Sequence, residues 1–220
     1  MRYTLSHRRV RSKGYVMAQK NKIISTHRSK SAPVRIGFDL DGVILYNPIR
    51  VIRPIISFCK DIGIIKRRKL EFFRPKNKIQ ESLWWLVHKT SAFEAPGLED
   101  LRKLVAEENV EVYLITARFN HLKSDFNGWL SKIRAEEIFT ECFMNEKNEQ
   151  PHLFKERMIH KLGLVAFVED NYDIVSYLTQ SKLVKQCKIC WVANVFDRKI
   201  AFPRKFSGLK QAVAYLRTLL

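Results

Sequence analysis

Val34-Arg35-Ile36-Gly37-Phe38-Asp39-Leu40-Asp41-Gly42-Val43-Ile44 opens as a short apolar run that ends in a carboxylate. A second carboxylate follows two residues later, and a glycine comes directly after it. The same pattern recurs twice: Val110 to Ile115 runs into Thr116, and Leu164 to Val168 runs into Glu169. Ile138 to Met144 and Lys188 to Ala193 read as two further strands. Helical periodicity lies between them, at Gly97–Glu108, Leu122–Ile133, His152–Leu162, Ile174–Thr179 and Gly208–Leu220. Nearly continuous apolar strands alternating with helices predict an α/β fold, a parallel sheet with helices on both faces. In such sheets ligands bind beyond the carboxyl ends of the strands, so the polar residues at those ends should share one crevice.

Asp39 and Thr116 are 77 positions apart, far more than a simple crossover needs. An insert is expected over 48–95, with helical patterns at Val51–Ile62 and Ile79–Lys89 and a basic connector, Lys66 to Lys78. It reads as a small helical cap over the crevice. Trp84, Trp85, Phe72 and Phe73 within it are either core or a stacking surface for a base or sugar.

The chain has 220 residues, of which 46% are hydrophobic, enough for one real core, so wholly disordered and collagen-like classes are excluded. Forty Lys and Arg against 22 Asp and Glu give a net charge of +18, which predicts anionic partners. Nine of those cations and no acid lie between Met1 and Pro33. Residues 1–33 are expected to be an unstructured basic tail: a solvated extension, a nucleic-acid arm or an organelle-import leader. No apolar run approaches the length of a bilayer span; Val51–Ile65 is broken by Arg53, Pro54, Lys60 and Asp61. A soluble, cytoplasmic protein without membrane partners is expected. Four scattered cysteines (Cys59, Cys142, Cys187, Cys190) fit a reducing compartment, and the lone Cys187-x-x-Cys190 lacks the ligands to complete a zinc site.

Two carboxylates as close as Asp39 and Asp41 cannot behave alike. One beside a cation stays ionised and can attack, while the other is pushed toward its acid form. That division of labour suits phosphoryl transfer, with Asp39 as nucleophile and Asp41 as proton donor and then base. The sequence resembles the haloacid dehalogenase-like phosphohydrolase superfamily, whose first motif is an apolar strand followed by D-x-D. The resemblance implies a Rossmann-like three-layer core with the cap inserted after the first strand. It implies that Thr116 and the backbone at Ala117 hold the phosphoryl group. Arg118 is placed either to clamp that phosphate or to pair with an acid. It further implies that Asp170, with Glu169, Asp39 and the Asp41 carbonyl, binds Mg²⁺, and that a lysine sits beside them: Lys155, with Lys147 and Lys161 as alternatives. The Glu169-Asp170 ending and Thr116-Ala117-Arg118 are similar to the 5′-nucleotidase branch.

The function expected is thus a Mg-dependent phosphomonoester hydrolase acting through an aspartyl-phosphate on a small phosphorylated substrate, a nucleotide or sugar phosphate. The alternatives are a polynucleotide end phosphatase, or a nucleic-acid-binding or regulatory protein that keeps the fold without turnover.

Overall fold

The computed structural model describes residues 32–46, 70–91 and 93–220. The expected tail, apart from Ala32 and Pro33, lies outside the described residues, as do the Val51–Ile62 helix, Lys66–Lys69 and Cys59. Ala32–Leu220 is one compact unit.

Six parallel strands form the sheet: β1 (Val34–Phe38), β4 (Val110–Phe119), β5 (Glu141–Asn145), β6 (Ala166–Glu169), β7 (Lys188–Val192) and β8 (Lys205–Phe206), in the order β5-β4-β1-β6-β7-β8. The connecting helices are α2 (Leu98–Glu107), α3 (Lys123–Lys132), α4 (Pro151–Leu162), α5 (Tyr172–Gln180) and α6 (Leu209–Arg217). Alternate residues of each strand feed opposite cores, as the period-two geometry of strands requires. Ile36, Phe38, Leu114 and Val168 pack with α2, α3 and α6. Ile115, Phe167, Ile189 and Trp191 pack with α4 and α5. The three-layer expectation therefore holds, and β1 lies between β4 and β6, where the winding of the chain reverses direction.

Three features depart from the expected elements. The strand expected over Ile138–Met144 begins only at Glu141, because Ile138 and Phe139 are in a helical turn that buries both in the core. The strand expected to stop at Ile115 continues through Thr116 to Phe119, with an irregularity between Thr116 and Phe119. β8 was not expected, since Lys205–Phe206 is too short to carry a periodic signal.

After β1 the chain makes one tight turn. The amides of Ile44 and Leu45 both donate to the Leu40 carbonyl (3.0 and 2.8 Å), and Gly42 takes φ +83°, a region costly to any residue with a Cβ. β2 (Leu45–Tyr46) then pairs antiparallel with β3 (Phe93–Glu94). The insert thus leaves and returns on adjacent strands, two residues short of the expected boundary at 95. Its described part contains α1 (Lys78–Lys89). Phe72 is fixed to the start of α4: its amide donates to Gln150 Oε1 (2.8 Å), and Gln150 Nε2 donates back to the Phe72 carbonyl (3.4 Å).

Cys142, Cys187 and Cys190 are free; burial pushes all three thiols up to about 12, leaving them unreactive. Among the described residues no helix is long and apolar enough to cross a membrane.

At the start of α2, Gly97 has φ +107°, and a Cβ there would stand 2.4 Å from the Lys210 backbone nitrogen. Both strain and overlap with main chain oppose any side chain. Gly97→Ala should lower unfolding stability by about 1–3 kcal/mol in urea titration; a loss below about 0.5 kcal/mol would show that the α2–α6 approach is not tight.

Candidate active site

Register determines what meets at the top of the sheet. Phe38 is level with Leu114 on one side and Val168 on the other, so Asp39, Thr116 and the Glu169-Asp170 pair emerge side by side. The Asp39 amide donates to the Val168 carbonyl (2.9 Å), extending the ladder to the point where the side chain turns out. Asp39, Asp41, Thr116, Ala117, Arg118, Lys155, Glu169 and Asp170 all line one cavity of about 420 Å³. Phe72, Phe73, Trp84 and His88 of the insert form part of its wall, and Tyr172 and Ile200 line it from the core. Trp85 is turned away from this cavity, toward a second one beside α3.

Asp39, Glu169 and Asp170 are buried, and each offers a carboxylate oxygen within 4.8 Å of the others. Lys155, 2% exposed, reaches both Glu169 Oε2 (2.5 Å) and Asp39 Oδ2 (3.0 Å). Lys147 and Lys161 are exposed and do not line the cavity, so of the three candidates only Lys155 meets the carboxylates. Glu169 Oε1 also accepts the Asn171 amide (2.9 Å), which ties the strand end to the start of α5. The Asn171 side chain in turn caps that helix through the Asp173 amide (3.0 Å). Trp191 Nε1 donates to the Asp170 carbonyl (3.1 Å) and holds the backbone of the acidic pair from β7.

Asp41 departs from expectation. Arg118 grips it with two bonds, Nε to Oδ2 (2.8 Å) and Nη2 to Oδ1 (2.7 Å), while Ser91 Oγ donates to Oδ1 (2.7 Å). His88 Nδ1 lies 3.4 Å from Oδ2. Burial alone would raise this carboxyl; the Arg118 charge and hydrogen bonds, with His88 adding to them, hold it well below the usual carboxylate range. The expected acid form of Asp41 is therefore replaced, in this arrangement, by a carboxylate. The same contacts correct the reading of Arg118 as a phosphate clamp. Its side chain is fully buried, and its third donor, Nη1, goes to Asp125 Oδ2 (2.6 Å), leaving the fork committed to carboxylates.

Asp39 and Glu169 shift the other way. Burial pushes the Asp39 carboxyl up to about 6, against the pull of Lys155, and Asp170 and Asp41 push in the same direction as burial. Burial likewise raises Glu169 to about 8, again opposed by Lys155. Lys155 is held charged by the acids around it, although burial works against its charge. Burial is the common cause, and the neighbouring acids, which a single lysine does not offset, add to it. The donor set is all oxygen and short of positive charge, which fits a hard divalent cation such as magnesium.

Ser91, His88 and Asp125 were not singled out in the sequence. Ser91 and His88 carry no spacing signal, because they reach Asp41 only through the return of the insert. Asp125 is seven residues after Arg118, a separation with no periodic meaning until the chain turns at 120–122. Lys205 also went unnoticed; its ammonium donates to the carbonyls of Asp197, Arg198 and Ile200 and fixes a loop on the cavity wall.

A protein from Thermotoga maritima assigned as a β-phosphoglucomutase superposes with a TM-score of 0.51 at 14% identity, covering 85% of this chain and all of that one. An assigned haloacid dehalogenase-like hydrolase from Bacteroides fragilis gives 0.51 at 10% identity, covering 81% of this chain and 99% of its own. The fold is the haloacid dehalogenase-like one. No protein-family model matches the sequence, and no curated protein is significantly similar to it. At such low identities the haloacid dehalogenase-like architecture is what is shared, and the chemistry must be argued from the residues above.

The raised carboxyls have a thermodynamic consequence. Folded Asp39 and Glu169 keep their protons to about 6 and about 8, against ordinary values of 3.8 and 4.5, so the folded state binds more protons than the unfolded state over that interval. Their contribution to stability therefore falls as pH rises from about 4 to about 8. Above about pH 5 Lys155 and Asp41 are charged in both folded and unfolded chains and add no slope; nearer pH 4 the unfolded Asp41 takes up a proton that the folded one does not, which opposes the trend. In chelator, Tm should decline across this window, and millimolar Mg²⁺ should recover most of the loss at pH 8. A Tm at pH 8 indifferent to Mg²⁺ would contradict the charge deficit.

Proposed function

We propose that this chain is a magnesium-dependent phosphomonoester hydrolase working through an aspartyl-phosphate on Asp39. One observation carries the reading: a buried carboxylate triad with a lysine, a hydroxyl and a third aspartate, Asp41, assembled at the carboxyl ends of three adjacent parallel strands around a cavity of substrate size. Asp39, Asp170 and Glu169 are the residues that would hold the cation, which when bound supplies the two positive charges that offset the acids and the incoming phosphate.

Asp39 Oδ attacks phosphorus as the ester bond breaks, and the departing alcohol takes a proton from Asp41, which rests as a carboxylate and must first pick that proton up from solvent. Thr116, whose Oγ1 accepts the Arg118 amide (3.3 Å), keeps its own O–H to donate to a phosphoryl oxygen, and the Lys155 ammonium balances the charge beside it. Water then attacks the aspartyl-phosphate. Asp41, held as a carboxylate, accepts that water's proton; inorganic phosphate leaves and Asp39 is restored. Because Asp41 is held ionised, esters whose alcohols leave readily without a proton should react faster.

Phe72, Phe73, Trp84 and Tyr172 on the cavity wall favour a leaving group with a flat face, which supports a nucleotide over a plain sugar phosphate and agrees with the 5′-nucleotidase resemblance. A small phosphorylated molecule is accordingly the proposed partner.

The test is release of inorganic phosphate from a panel of aryl phosphate, nucleoside monophosphates, sugar phosphates and a phosphorylated oligonucleotide. Turnover should require Mg²⁺, stop in chelator, favour aryl over alkyl esters, and fall at least about a thousandfold in Asp39→Asn. No chelator-sensitive release from any ester in a folded preparation would overturn the reading and favour a fold retained without turnover.

A further inference from the structure

Asp125 does not line the cavity, yet it is tied to the cavity's chemistry by a single intervening side chain. It lies in the first turn of α3, where the positive end of the helix favours an acid, and only 7% of its side chain is exposed. Its Oδ2 accepts Arg118 Nη1 at 2.6 Å, and its Oδ1 takes the Lys89 ammonium at 2.9 Å from the last turn of α1. Arg118 spends its other two contacts on Asp41.

A guanidinium is a planar fork with donors in fixed directions. With one edge on Asp41, its plane is still free to swing about that contact; the third bond, from a different element, removes the freedom. Asp41 Oδ1 is then held from two sides, by Arg118 and by Ser91 Oγ. Lys89 is the last residue of α1 and Ser91 lies two residues beyond it, so the insert meets this network at two points.

We propose that Asp125 is a positioning residue: acting through Arg118, it fixes the direction in which the Asp41 carboxylate faces the reacting ester, and it couples that direction to the seating of the insert. The inference rests on the hydrolase reading, in which Asp41 handles the protons of both half-reactions. A positioning role is distinguishable from a buried ion pair that merely holds the fold. Misdirecting Asp41 affects the step in which the leaving alcohol needs a proton, so an alkyl ester suffers more than an aryl ester whose phenolate leaves unaided. Loss of fold integrity lowers both together.

The experiment compares Asp125→Ala, Asp125→Asn and wild type on one alkyl and one aryl phosphate, with crystal structures of wild type and Asp125→Ala. In Asp125→Ala, kcat for the alkyl ester should fall by about 10- to 100-fold with KM within about twofold, and the aryl ester should lose several-fold less. Asp125→Asn, which keeps an acceptor oxygen for Arg118, should recover part of the loss and stands in if the alanine variant does not fold. The crystal structure should show Arg118 or Asp41 rotated from its place. An equal loss on both esters, or full activity with the alkyl ester, overturns the proposal. If wild type hydrolyses neither ester, the hydrolase reading is what fails, and the inference is judged on the crystals alone: Arg118 keeping both bonds to Asp41 without Asp125 refutes it.

Discussion

Burying like charges is the constraint on which this structure turns. Five carboxylates lie in two neighbouring groups: Asp41 and Asp125 are matched by Arg118 and Lys89, while Asp39, Glu169 and Asp170 share Lys155 alone. An uncompensated charge taken from water into a protein costs several kcal/mol, so this shortfall of two cannot stay as it is. Without a cation the protein answers by retaining protons on Asp39 and Glu169. A divalent ion would answer the same need and leave Asp39 ionised, the form in which it can attack. Arg118 and Lys155 divide the work: one neutralises Asp41, the other Asp39 and Glu169. Two aspartates only two residues apart thereby come to differ strongly in acidity.

The fold is a device for imposing that crowding. Parallel strands bring their carboxyl ends to one edge, and hydrogen-bonded register sets Asp39 level with Glu169 and one residue short of Thr116. The cores on both faces hold the strands rigid, so the side chains cannot relax apart. The turn through Gly42 delivers Asp41 to the same cavity, and the β2–β3 pair brings the insert back so that Ser91 and His88 close on it. Stability is spent at the site and supplied by the packing beneath it.

Much of this was legible from the residues. Apolar runs ending in Asp39, Thr116 and Glu169, separated by helical periods, were enough for the layered parallel architecture and for the convergence of the three strand ends. Lys155 could be favoured because it lies on the helix entering β6. The protonation of Asp41 was misjudged, and the choice between phosphate and an acid for Arg118 was left open, for one reason. Both depend on which charge lies opposite in space, and Asp41 and Arg118 are 77 positions apart. Asp125, Ser91 and His88 are invisible for the same cause. β8 and the β2–β3 pair are two-residue strands made by tertiary pairing, with no local propensity to announce them.

The proposed hydrolase needs a divalent cation among the buried acids. Crystals soaked in Mn²⁺, whose anomalous scattering locates it without ambiguity, test this most directly. One strong anomalous peak is expected between Asp39 and Asp170, at coordination distance from both carboxylates. A peak only at surface acids, with Asp39 and Asp170 left without metal, would contradict it.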